Sequence, residues 1–208
     1  MGAPNLPAKW DIVLSSWIIQ DGNYPDLRVG QTAEFALEFW FPDGSAGLPS
    51  TDGISASIVG DCFYDTVAEV VLQTVDITIL DIGVLVFRDE SVSSLRPFPP
   101  ECRVAVKLGL GVDPCFYVQG LARVPSIPPL IYSWRILSIL RQTAPFIERI
   151  AEAGLLAGHS VQIRDPHRLG YEEVYQTDGW NDDGGHAEYL LRCELLPIPP
   201  KRTSSTAI

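Results

Sequence analysis

The stretch at residues 62–87, CFYDTVAEVVLQTVDITILDIGVLVF, constrains this 208-residue chain more than any other. It is rich in β-branched side chains and holds no Lys or Arg. Ala68, Val70 and Leu72 alternate with Val67, Glu69, Val71 and Gln73, so one face is apolar throughout and the other partly so. That period of two is the pattern of strands packed on at least one face. The run predicts two or three central strands, with Gly83 marking a bulge or a tight bend. Asp81, between Leu80 and Ile82, must be buried with hydrogen-bond partners or sit where the strand bends at Gly83.

Two further segments repeat the alternation. In 30–41, Ala33, Phe35, Leu37 and Phe39 oppose Thr32, Glu34 and Glu38. In 187–195, Ala187, Tyr189, Leu191, Cys193 and Leu195 oppose Glu188, Arg192 and Glu194. Less regular strands are expected at 10–20, 54–59, 103–110, 115–124 and 130–140. One helix is expected, over about 144–153. Thr143 would cap it, Pro145 suits its first turn, Phe146, Ile147 and Ile150 form its apolar stripe, and Gly154 would stop it. A helix this short must dock on a sheet. The fold class is therefore mainly β: an antiparallel barrel or sandwich-like sheet system with one short docked helix.

The chain reads as a single compact domain over 1–208 with a disordered tail at 201–208. The alternative division is two β subdomains, 9–88 and 102–200, joined by the Ser- and Pro-rich linker 89–101. The first residues lack a basic segment followed by an apolar core, and no window approaches the ~18 apolar residues that span a bilayer. A cytoplasmic protein without membrane association is the expectation. The four cysteines, at 62, 102, 115 and 193, contain no CxxC pair and suit small buried side chains.

Charge is uneven. Residues 1–100 carry fourteen acidic against four basic side chains, which is most of the chain's net −11. Residues 103–168 carry eight basic against four acidic, and 169–196 carry one against seven. An acidic field attracts cationic surfaces and repels phosphate backbones. The basic residues of 103–168 are dispersed, so nucleic acid is a disfavoured partner.

Chemical signatures are weak. The loop 178–186, DGWNDDGGH, is the densest polar cluster, but Trp180 and Asp183 fall where a calcium loop needs a ligand and a glycine. His159, His167 and His186 lack zinc-site spacing. GxSxG, SxxK, P-loop and dinucleotide fingerprints are absent, and no cofactor is expected. The leading expectation is a non-enzymatic acidic interaction module that binds a cationic protein partner, as an immunity or inhibitor protein does. Its candidate contacts are Glu34, Glu38, Asp61, Asp65, Glu69, Asp182 and Asp183. The rival is a β-barrel ligand binder or hydrolase with a pocket at Asp165, His167, Asp182 and His186. A structural subunit of a larger assembly is the third reading.

Overall fold

The structure, a computed structural model, describes residues 6–42, 47–60, 62–90, 98, 102–150, 160–165 and 167–203. In chain order the first elements are β1 (Trp10–Ser15), α1 (Ser16–Gln20), β2 (Thr32–Phe35), β3 (Leu37–Trp40), β4 (Leu48–Ser50) and β5 (Ser55–Gly60). The central run forms β6 (Phe63–Gln73), β7 (Ile77–Asp81) and β8 (Leu85–Asp89). Then come β9 (Arg103–Val112), α2 (Phe116–Gln119), β10 (Tyr132–Gln142), β11 (Phe146–Ile150), β12 (Ser160–Arg164), β13 (Tyr171–Val174) and β14 (Glu188–Leu195). The protein is mainly β, as its alternation predicts, and none of its described helices is long and apolar enough to cross a membrane.

The central run closes a small barrel. β6, β7 and β8 form an antiparallel meander, β9 lies between β6 and β3, and β8 meets β3 in parallel at Phe87 and Glu38. Along β9, Val104, Val106, Leu108, Leu110 and Val112 are all buried in the core that also takes Ala68, Val70, Leu80 and Val86. Trp40 lies over the glycines of β9, and a Cβ on Gly109 would come within 2.4 Å of its ring. The run is apolar on both faces of β7 and β8 because both are covered. Ile77, Ile79 and Phe87 pack outward against Tyr117, Ile127, Leu130 and Ile131, in and beyond α2. Gly83 turns the chain between β7 and β8 at φ +99°, and Asp81 Oδ1 accepts its N–H at 2.7 Å. Asp81 is thus a turn residue, half-buried beside the bend.

The remaining strands extend the sheet, except β11 and β12, which pair only with each other. β14 pairs antiparallel with both β1 and β10, β1 meets β9 in parallel at Val13 and Gly111, and the far side of β10 takes β2 and then β13. Strands from either side of residues 89–101 are therefore direct neighbours. Where barrel and outer strands meet, Trp10 packs on Tyr64 and Trp134, and Phe35 stacks on Trp134 at 5.7 Å. Tyr64 Oη also accepts the Asp11 N–H and donates to the Asp11 carbonyl. Tyr132 Oη accepts the Leu85 N–H at 2.8 Å. Lys201 exchanges two backbone bonds with Ile131, and the Arg202 guanidinium donates to the carbonyls of Ala122, Val124, Pro125 and Ile127. Residues 204–208 of the expected tail lie outside the described residues.

The helix expected near 144–153 is a correction. Phe146–Ile150 is a strand, paired antiparallel with Ser160–Arg164, and 151–153 fall outside the described residues. An apolar triplet at 146, 147 and 150 satisfies helix spacing, but so short a helix gains little from its own backbone bonds. The hairpin satisfies the same groups across a ladder. Conversely, the expected strand at 10–20 ends at Ser15 and continues as α1, and the one at 115–124 is helical turns. Cys115 sits there at φ 73°, a left-handed conformation that interrupts any strand.

Two expected outcomes follow from the core. Tyr64→Phe leaves the buried Asp11 N–H unpaired and lowers unfolding free energy by ~1–3 kcal/mol in denaturant titration, with the fold retained. Asp113 is fully buried at the end of β9 and accepts the N–H groups of Phe116 and Tyr117. Burial pushes its carboxyl up to about 7, against the pull of those bonds, and the Glu38 carboxylate adds to the rise. The folded state then holds a proton that the unfolded chain has released. Its contribution to stability is full below the ordinary carboxylate range and falls as pH rises towards 7. Asp113→Asn flattens that slope, which paired melts of variant and parent between pH 4 and 8 will read.

Candidate functional site

The loop 178–186 packs on α1 because its backbone is bonded to side chains rather than to a ladder. Gln20 Nε2 donates to the carbonyls of Gly179 at 2.7 Å and Gly185 at 2.6 Å. Ser16 Oγ donates to the Gly185 carbonyl at 2.8 Å. Asp26 Oδ1 accepts the Gly179 N–H and the Thr177 hydroxyl, both at 3.0 Å. Asp178 closes the start of the loop by accepting the backbone and side-chain N–H groups of Asn181, which hold its carboxyl below the usual range. Asp183 and Gly184 take left-handed backbone angles, φ 52° and 64°, which Asp and Gly adopt at low cost. Within this frame α1 buries Ser16, Ile18 and Ile19 and turns Trp17 outward, while the loop carries Trp180 in solvent.

Two arginines brace the other side. Arg141 on β10 pairs with Asp182 of the loop and Glu172 of β13, and these carboxylates hold its guanidinium above its ordinary range. Asp182 Oδ2 also accepts the Tyr189 hydroxyl at 2.8 Å. Burial, then that carboxylate, raises the Tyr189 phenol. Arg164 on β12 pairs with Asp183, donates to the carbonyls of Ala144 and His186, and lies over the Phe146 ring at 4.1 Å. The His186 ring meets the same Phe146 edge-on.

Between this hairpin and α1 lies a cleft of about 720 Å³. Trp17, Gln142, Phe146, Arg164, His186 and Glu188 are among its walls. A smaller cavity of about 300 Å³ adjoins it, sharing Gln142, Phe146 and Arg164. No three His, Cys, Asp or Glu side chains among the described residues gather as a metal site.

The nominated acidic contacts scatter. Glu34 pairs with Lys201 at 2.6 Å. Glu38 is half-buried, and burial followed by the neighbouring Asp89 carboxylate raises its carboxyl. Asp65 and Glu69 share the outward face of β6, but β9 sets Lys107 and Arg103 directly opposite them, with Glu69 and Arg103 3.8 Å apart. Asp61 lies outside the described residues. Asp182 and Asp183 stand together in the braced loop. The other nominated set does not converge. His186 lines the larger cleft, whereas Asp165, His167 and Asp182 line neither cavity. Asp165 instead accepts the backbone N–H of His167 in a surface turn.

Trp17, Gln20, Arg164 and Glu188 were not singled out from sequence. Trp180 offered the usable signal, since a tryptophan amid Asp and Gly has no local apolar neighbour to bury it. Glu188 is masked by lying on the polar face of an amphipathic strand, where carboxylates are ordinary. No protein-family model, curated protein or solved structure matches the chain.

Gln20→Ala removes two of the three side-chain hydrogen bonds that tie α1 to the loop and leaves that of Ser16. Amide exchange within 178–186 then accelerates by roughly tenfold, while global stability drops by only ~1 kcal/mol. Equal acceleration across β9 and β14 would show that the bonds support the whole fold rather than the loop.

Proposed function

We propose that this chain is a non-enzymatic interaction module that binds a cationic protein partner, of the inhibitor or immunity kind. The observation that carries the reading is the pair of solvent-exposed tryptophans on the acidic loop frame, Trp17 at 47% and Trp180 at 65% exposure. Apolar surface left in water costs roughly 25 cal/mol per Å², and tryptophan is the residue type most enriched at binding hot spots. Both indoles stand on a framework fixed by side-chain bonds, so little ordering is left for binding to supply. Asp178 and Asp183 lie on the loop, Asp21 follows α1 and Glu188 opens β14 just after the loop.

The chain's net charge of −11 supports a cationic partner by steering its approach. The same charge disfavours nucleic acid. Among the nominated carboxylates, Asp182 and Asp183 belong to this face. Asp182 and Asp183 are paired with Arg141 and Arg164, and Glu34, Asp65 and Glu69 likewise have a cation beside or across from them, so all five contribute field more than contact.

An (Arg-Gly)5 decapeptide serves as a generic cationic probe. Its affinity for the full chain weakens at least tenfold between ~20 and ~200 mM salt, as expected for screened surface charge. Trp180→Ala weakens it by ~1–2 kcal/mol without changing the melting temperature. Calorimetric titration across salt reads both, and salt-independent affinity would contradict the reading.

A further inference from the structure

The larger cleft holds a carboxylate that nothing in the described chain neutralises. Glu188 opens β14, pairs with Ser15 through its backbone and lines the cleft, and no cation or hydrogen-bond donor among the described residues reaches its side chain. Arg164 lines the same cleft but is committed to Asp183 and to two backbone carbonyls. Gln142, another wall residue, carries a second idle acceptor. Gln142 Oε1 is buried with no donor among the described residues. Buried polar atoms in native proteins are nearly always paired, so this amide gains a partner when it turns towards a donor entering the cleft. Trp17 and Phe146, at 47% and 40% exposure, supply aromatic walls.

The missing ligand is positively charged, rich in donors, free of acceptors at its head, and apolar along its stem. A guanidinium on a three-carbon stem meets each condition. It presents five donors in a plane, so it can reach acceptors on two different residues, and its face stacks on aromatic rings. The geometry points to this cleft as the seat of an arginine side chain from the cationic partner. Glu188 is the counter-charge, Gln142 Oε1 the second acceptor, and Trp17 and Phe146 the walls. This assignment rests on the reading of the partner as cationic and gives that partner a specific residue.

The test uses the full chain, ¹⁵N-labelled and titrated with N-acetyl-arginine amide. N-acetyl-citrulline amide is the uncharged isostere. The arginine probe shifts the Trp17 indole and the backbone amides of Gly185 to Glu188 saturably. The citrulline probe binds at least tenfold more weakly. Glu188→Gln lowers arginine affinity at least tenfold, and the exposed control Asp52→Asn leaves it unchanged. An unshifted cleft, equal binding of citrulline, or parental affinity in Glu188→Gln overturns the assignment. If (Arg-Gly)5 still binds with its salt dependence in any of those cases, the interaction module stands and its arginine seat lies elsewhere. If neither probe binds, both proposals fall.

Discussion

The architecture turns on one buried junction between Tyr64 of the barrel and Asp11 of β1. The phenol is fully buried, and it takes the Asp11 N–H while donating to the Asp11 carbonyl. The Asp11 carboxylate, 4% exposed, is held bidentate by Arg192 of β14 at 2.8 and 2.9 Å. One residue thereby ties barrel, β1 and β14 together, and the Trp10 indole packs on the Tyr64 ring beside it. Breaking one partner of such a contact strands a buried charge or donor, which costs more than the contact's net gain. The functional face depends on this junction. α1 continues directly from β1, and β14 carries Glu188 and Tyr189 away from the same anchor.

Folding rearranges the charge pattern that the linear chain displays. Acidic 1–100 and basic 103–168 look like two separate fields. In the sheet, β9 brings Arg103 and Lys107 opposite Glu69 and Asp65, and Lys201 returns to Glu34. The exposed face of β6 is therefore an interleaved cross-strand ladder, which stabilises the sheet modestly and shows a partner little net charge. At the loop 178–186 the two arginines are each committed, and Asp178 and Glu188 have no cation beside them among the described residues. Acidic character survives where the exposed tryptophans are.

Alternation was the legible part of the fold. Wherever period two was strict, as at Ala33 and Phe35 or from Tyr189 to Cys193, the strands formed and buried the expected face. Short apolar groups were not legible. Phe146, Ile147 and Ile150 suit a helix stripe and a hairpin strand equally, and only the pairing with β12 decides between them. α1 was hidden because Trp17, Ile18 and Ile19 carry strand-like composition into a helical turn. The acidic loop was visible as a cluster, and Trp180 only as a misfit to a calcium loop. Its neighbours were not, because Arg141 and Glu188 lie on β10 and β14, which meet only through sheet pairing, and Arg164 lies on the separate β11–β12 pair. Pairing register and the docking of the β11–β12 pair are the information that composition lacks, and the site is built from both.

The account's central claim is that the face formed by α1, the 178–186 loop and the start of β14 is where a cationic protein chain docks. Hydrogen exchange on the full chain, with and without saturating (Arg-Gly)5, tests it most directly. The account predicts slowed exchange confined to residues 16–20 and 178–188, with the outward face of β6 unchanged. Slowed exchange along β5 and β6 instead, around Asp65 and Glu69, would contradict it.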